Sequence, residues 1–195
     1  MKIFGYLYPS GSQYKVLRWF FMLIIYMSQS IILLGYLMFF ISRFRKNKKS
    51  ILMVDVLSRI CFIMGYWLIG SINSIEHTIY AIVRNIIGSL LIAEKKSYKI
   101  LGFGVMLLIL FIMYGLSFNG ISTVMFVLSG IINLYAIIFT KEQGIRLGTI
   151  FASFCNIIAF SLIGNVISVI GELLCGIIGF ISYLQWHSYN TNKTY

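Results

Sequence analysis

The sequence predicts an all-α fold, a multi-pass transmembrane bundle of about seven helices. Three observations lead there. Apolar residues fill 59% of the 195 positions and charged residues only 11%, whereas a soluble domain carries roughly 25% charged residues. Mean hydropathy is +0.91, and the apolar residues gather into runs of about 20, the length that crosses a bilayer core. Most Lys and Arg residues stand between these runs. Little chain is left over for a soluble domain.

The first run spans 18–42. It is too long for the apolar core of a signal peptide and no small-residue cleavage pattern follows it, so it is expected to stay as the first span. Polar punctuation then separates runs at 51–70, 75–93, 100–117, 122–140, 146–164 and 166–186. The loops 43–50, 94–99 and 141–146, with Lys193 in the tail, hold eleven Lys and Arg residues on one side, against three in the segment up to Arg18. By the positive-inside rule those loops and the C-terminus are expected in the cytoplasm and the N-terminus outside. Trp67 and Trp186 stand near opposite span ends, where indole rings anchor at an interface or pack.

An internal repeat emerges when the chain is shifted by 94 residues. "RICFIMGYWLIGSINS" (Arg59 to Ser74) then overlies "SFCNIIAFSLIGNVIS" (Ser153 to Ser168), pairing Cys61 with Cys155, Gly70 with Gly164 and Ser74 with Ser168. Each copy sits on the second helix of a three-helix unit, and the first helix of each unit ends in a basic loop. The expected organisation is therefore a parallel 3+1+3 repeat: an external segment 1–17, a first unit 18–93, a linker with the fourth helix at 94–121, a second unit 122–186 and a cytoplasmic tail 187–195.

The formal net charge of +11 does not point to nucleic acid, because the basic residues flank spans and form no stripe on a folded face. Cys61, Cys155 and Cys175 lie inside apolar runs without metal-type spacing, so they read as small hydrophobic residues. No metal or cofactor is expected. HExxH, GxSxG, Walker and dinucleotide motifs are absent from the sequence, and the chain is not expected to be an enzyme. His77 and Glu76 fall at one mouth of the third helix, roughly 10 to 15 Å along the normal from Cys61, too far for a His-Cys pair. His77 reads as an interfacial polar residue.

The informative residues are charges inside spans. Asp55 and Arg59 are four apart in "DVLSRICFIMGYWLIG", on one helix face with the carboxylate N-terminal, the favourable order for a pair. An unpaired charge in mid-bilayer costs at least about 2.5 kcal/mol, so such residues face a bundle interior or a wet cavity. Arg84 and Asn85 reach a similar depth on the antiparallel third helix. Two arginines against one aspartate leave a surplus positive charge, which would attract an anionic or carboxylate-bearing solute or else only clamp the helices. Glu172 lies in the last span beside Gly171, Cys175 and Gly179, a stripe suited to close helix packing; it is a candidate polar or proton-carrying group. Gln29, Asn133, Asn156 and Asn165 are expected to hydrogen-bond between helices, each worth about 0.6 kcal/mol.

The stretch "LGYLMFFISRFRKNKKSILMVDVLSRICFIMGYWLIG", followed by "YAIVRNIIG", resembles the YgjV-type bacterial inner-membrane proteins, whose pattern is a Gly-rich first span, a basic loop, a second span leading to a Leu-Leu-Gly or Leu-Ile-Gly turn and an Arg-Asn pair in the third. The resemblance covers Leu34 to about Glu94 and implies a multi-pass inner-membrane protein without an assigned activity. The parallel three-helix units are similar, at the level of fold only, to SWEET and PQ-loop carriers. The sole proline is Pro9 and no Pro-Gln pair occurs in any span, a departure from those carriers that puts their proline-hinged rocking in doubt here. The expected function is a small-solute transporter or a transporter-like protein whose partners are the lipid bilayer and a small anionic solute. Its substrate-binding residues would be Arg84, Arg59, Asp55, Asn85 and Glu172. The alternative is a non-transporting scaffold with a dry core.

Overall fold

The computed structural model describes residues 11–191 apart from 71, 117, 119 and 165. Among these the chain forms α1 (Gly11–Arg43), α2 (Lys48–Leu68), α3 (Ile72–Leu90), a single 3-10 turn (Leu91–Ala93), α4 (Lys96–Leu116), α5 (Ile121–Phe139), α6 (Glu142–Leu162) and α7 (Val166–Thr191). There is no strand among them. All seven helices are long and apolar enough to cross a membrane. A lipid core offers no hydrogen bonds to exposed backbone, and helices that close their own bonds satisfy that condition. The protein is a multi-pass helical membrane protein.

The helices run past the apolar stretches at their basic ends. Helices α2, α4 and α6 begin at Lys48, Lys96 and Glu142, three or four residues before the apolar runs. Lys, Glu and Gln are good helix formers, so the turn begins before the lipid does. Helix α1 likewise reaches back to Gly11 and α7 on to Thr191, absorbing parts of the segments 1–17 and 187–195. Residues 1–10 and 192–195, Lys193 included, lie outside the described residues, as does Asn165.

Within each half the second helix is central: α2 packs between α1 and α3, and α6 between α5 and α7. Helix α4 lies against α5 and buries only Met106 and Leu110, which join Tyr80, Leu134 and Ile138 in one apolar cluster. Small residues set the close approaches. A Cβ on Gly35 would meet the Phe62 ring at 2.6 Å, and one on Gly65 would meet Ile32 at 2.5 Å. The expected stripe on α7 packs in the same way, Gly171 under Tyr36 of α1 and Gly179 against Ile150 of α6. Backbones without side chains between them gain dispersion contact that lipid cannot replace.

The halves share their punctuation. Helices α2 and α6 begin and end 94 residues apart, as do the starts of α3 and α7. After α2 and α6 the chain turns at Gly70 (φ 68°) and Gly164 (φ 71°), a left-handed conformation that glycine reaches without a Cβ clash. The loops after α1 and α5 and the last turns of α7 gather at one end of the bundle, here the basic end. The turns at Gly70, Gly120 and Gly164 lie at the far end.

Candidate functional site: a charged cavity sealed at the basic end

A cavity of about 400 Å³ lies between the halves, and every helix contributes to its wall. It begins at the far end, beside Ser74 and the exposed Glu76 on α3, Ser122 on α5 and Ile163 after α6. It ends on Leu52, Ile137 and Ile145. One wall carries an aromatic collar. The Tyr114 and Phe126 rings stack with centroids 6.1 Å apart, Phe160 meets Phe126 edge-on at 5.0 Å, and His77 shares a hydrogen bond with the Tyr114 hydroxyl. His77 thus turns inward into the cavity wall. Across from the collar, Tyr36 and Phe62 meet edge to face at 4.8 Å.

Below the collar sit the charges. Asp55, 2% exposed, accepts a 2.5 Å hydrogen bond from Asn85 Nδ2, while Arg43 Nη2 and Arg59 Nε each lie 3.7 Å from Asp55 Oδ1. The Asn85 amide is thereby fixed: its nitrogen faces Asp55 and its Oδ1 accepts from Arg84 Nη2 at 3.3 Å and Nε at 3.4 Å. Arg84, 5% exposed, has no carboxylate within ion-pair distance among the described residues. The Phe39 ring supports two of the cations, Arg43 at 4.2 Å and Arg59 at 5.6 Å from its centroid. Arg43 Nε and Arg59 Nε are buried without a hydrogen-bond partner, an arrangement natural proteins keep rare. The site holds unused donors facing one shared acceptor.

Glu172 stands on the opposite wall, with Ser153 and Asn156 of α6 lining the cavity beside it. It makes no ion pair among the described residues. Asn156 is 8% exposed, and its Oδ1 is buried without a partner.

The basic end is closed by a reciprocal exchange between the halves. Arg146 of α6, 1% exposed, donates from Nε to the Arg43 carbonyl at 3.0 Å and from Nη2 to the Arg45 carbonyl at 2.7 Å, and packs 5.4 Å from the Trp186 ring. Lys48 of α2 donates from Nζ to the Thr140 carbonyl at 2.8 Å, and its backbone N–H reaches Glu142 Oε1 at 3.2 Å. Helix ends carry carbonyls without intrahelical partners and a partial negative charge. A cation at the start of each half's central helix satisfies the end of the other half's first helix. Above this layer Ile51, Leu52, Ile137 and Ile145, each at most 3% exposed, form a dry plug. Two of these contacts, Lys48 to Glu142 and Ile51 beside Ile145, join positions 94 residues apart.

The structure brings Asp55, Arg59, Arg84 and Asn85 into one cluster, with Glu172 facing the same cavity. Asp55 and Arg59 form the i,i+4 ion pair that their spacing predicts, and the same carboxylate is also shared with Arg43 and, at closer range, with Asn85 of α3. By sequence Arg43 and Arg146 are only loop charges. Both are buried because the helix continues beyond the apolar run and folds its basic end inward. Cys61, Cys155 and Cys175 are free thiols, and no group of metal-ligating residues forms among the described residues. No family model, curated protein or solved structure matches the chain. Fold and cavity define its class: a multi-pass helical membrane protein with a charged internal cavity.

Proposed function

We propose that the protein is a carrier for a small carboxylate-bearing solute, lying in the inner membrane of a bacterium with its basic end and C-terminus in the cytoplasm. It is of the YgjV type that the stretch from Leu34 to about Glu94 resembles. The observation that carries this reading is the cavity that runs from the far end down to Arg59 and Arg84 and stops at a plug. A carrier needs a solute site that one side of the membrane reaches while the other is sealed, and broken or paired three-helix units that exchange those states. On this reading the present state opens outward.

The two halves, 18–93 and 122–186, act as parallel repeats about an axis along the membrane normal. Lys48 and Glu142, at equivalent positions, touch each other, as residues beside such an axis do. The surplus guanidinium charge supplies attraction for a carboxylate, and the unused Arg43 and Arg59 donors supply geometry. No chemical step is assigned, and the solute leaves as it entered. A scaffold would need no polar cavity of this size, and it would be favoured only if the cavity proved inaccessible to water.

The test is binding to the purified full-length protein in nanodiscs, read as thermal stabilisation by a panel of carboxylates. A ligand at one hundred times its Kd stabilises by about 2.7 kcal/mol. At least one carboxylate should reach this effect with the native protein and lose it with Arg84→Gln, which keeps the helices and their insertion. Stabilisation by none of them, or equal stabilisation of the Arg84→Gln protein, contradicts the reading.

A further inference from the structure

We infer that the solute is a zwitterion of the α-amino acid class, its carboxylate held by Arg59 and Arg84 and its ammonium group by Glu172 and Asn156 Oδ1. This rests on the carrier reading and narrows its substrate class. The cavity has two electrical poles on facing walls. The α1–α3 wall gathers Arg43, Arg59 and Arg84 around one carboxylate, Asp55, that Asn85 already occupies. On the α6–α7 wall, Glu172 has no ion-pair partner among the described residues, and the adjacent Asn156 Oδ1 is buried and unbonded.

The chemistry of the ligand follows from what each pole lacks. A carboxylate only accepts hydrogen bonds, and the first pole lines the cavity with the guanidinium groups of Arg59 and Arg84, of which Arg59 Nε has no hydrogen-bond partner. An ammonium group only donates, with three N–H bonds, and the second pole presents a carboxylate and an amide oxygen, both acceptors. Asn156 lines the cavity together with Glu172, and its Oδ1, which has no partner, is the spare acceptor. A simple organic anion would fill the first pole and leave the second unmet. The register also fits. Measured by helical rise from the far end, Glu172 lies about 9 Å deep, Arg59 about 14 Å and Arg84 about 18 Å. That order sets the Glu172 acceptor above the two guanidinium groups, so a zwitterion enters carboxylate-down with its ammonium group above, and the side chains of Glu172 and Arg59 close the rest of the gap in depth.

The experiment uses full-length protein in nanodiscs and three matched sets of probes. L-leucine, L-phenylalanine and L-serine are each compared with the deaminated acid and with the decarboxylated amine. In at least one set the amino acid should bind ten or more times as tightly as both analogues. Glu172→Gln should collapse that preference while the deaminated acid still binds, which shows that the variant is folded, and Glu172→Asp should restore part of it. Asn156→Leu should weaken the amino acid selectively. Equal binding of the amino acid and the deaminated acid, or a preference that Glu172→Gln leaves intact, overturns the zwitterion but leaves a carboxylate carrier. Tightest binding of the amine, or no binding in any set, overturns both.

Discussion

Asp55 accepts from Asn85 and faces two guanidinium groups, so its removal leaves Arg43 and Arg59 buried against like charge. Breaking a buried ion pair from one side costs about 3 to 5 kcal/mol, because the remaining charge stays desolvated. Asp55→Asn should accordingly destabilise the protein by on the order of 3 kcal/mol, read as a fall in the unfolding midpoint in detergent. Arg84→Gln should be milder, since Arg84 bonds an amide and no carboxylate. If the two variants unfold together, the cluster is not organised around Asp55. Much of this cluster is legible in the sequence: an aspartate and an arginine four apart in an apolar run have few other ways to be stable, and the Arg84-Asn85 pair announces itself similarly. Arg43 is not legible, because it stands at a run's edge where basic residues normally serve topology. Nor is the placing of Asn156 beside Glu172 on the cavity wall, which depends on the relative rotation of two helices.

At the scale of the helix, the glycines separate packing from bystander positions. Gly65 leaves no room for a Cβ beside Ile32, and α1 is pinned there by a 2.9 Å bond from Ser28 Oγ to the Gly65 carbonyl. Gly65→Val should cost about 1 to 3 kcal/mol by forcing α1 and α2 apart. Gly104 on α4 has open space around its Cβ position, so Gly104→Ala should be neutral or stabilise by up to about 1 kcal/mol through helix propensity. Matched unfolding curves check both, and the reverse order would mean that α1 and α2 do not pack as described. The seven helices were readable from apolar run length, and the turns at Gly70 and Gly164 from the repeated Leu-Ile-Gly. Their starts were not, because Lys48, Lys96 and Glu142 lower hydropathy while favouring helix. Which glycine meets which neighbour requires the partner helix, and no single run contains it.

For the whole molecule, a cavity that begins at the far end stops at a seal at the basic end. Arg146→Ala removes the guanidinium bonds that tie α6 to the end of α1. It should shift the population toward states open at the basic end, seen as faster thiol labelling of Ile145→Cys in inverted vesicles; unchanged labelling would mean that the apolar plug alone holds the seal. The matching bounds of α2 and α6 were foreshadowed by the 94-residue match, but the cavity was not, since its wall comes from residues of all seven helices. The most direct test of the central claim is access to Asn133, a cavity residue about 18 Å below the far end by helical rise. In a protein with Cys61, Cys155 and Cys175 replaced by alanine, Asn133→Cys is exposed to a membrane-impermeant thiol reagent in intact cells, with Lys141→Cys at the basic end as the inside reference. Asn133→Cys should label in intact cells and Lys141→Cys only after permeabilisation. Labelling of Asn133→Cys solely after permeabilisation, or not at all, would contradict an outward-open cavity.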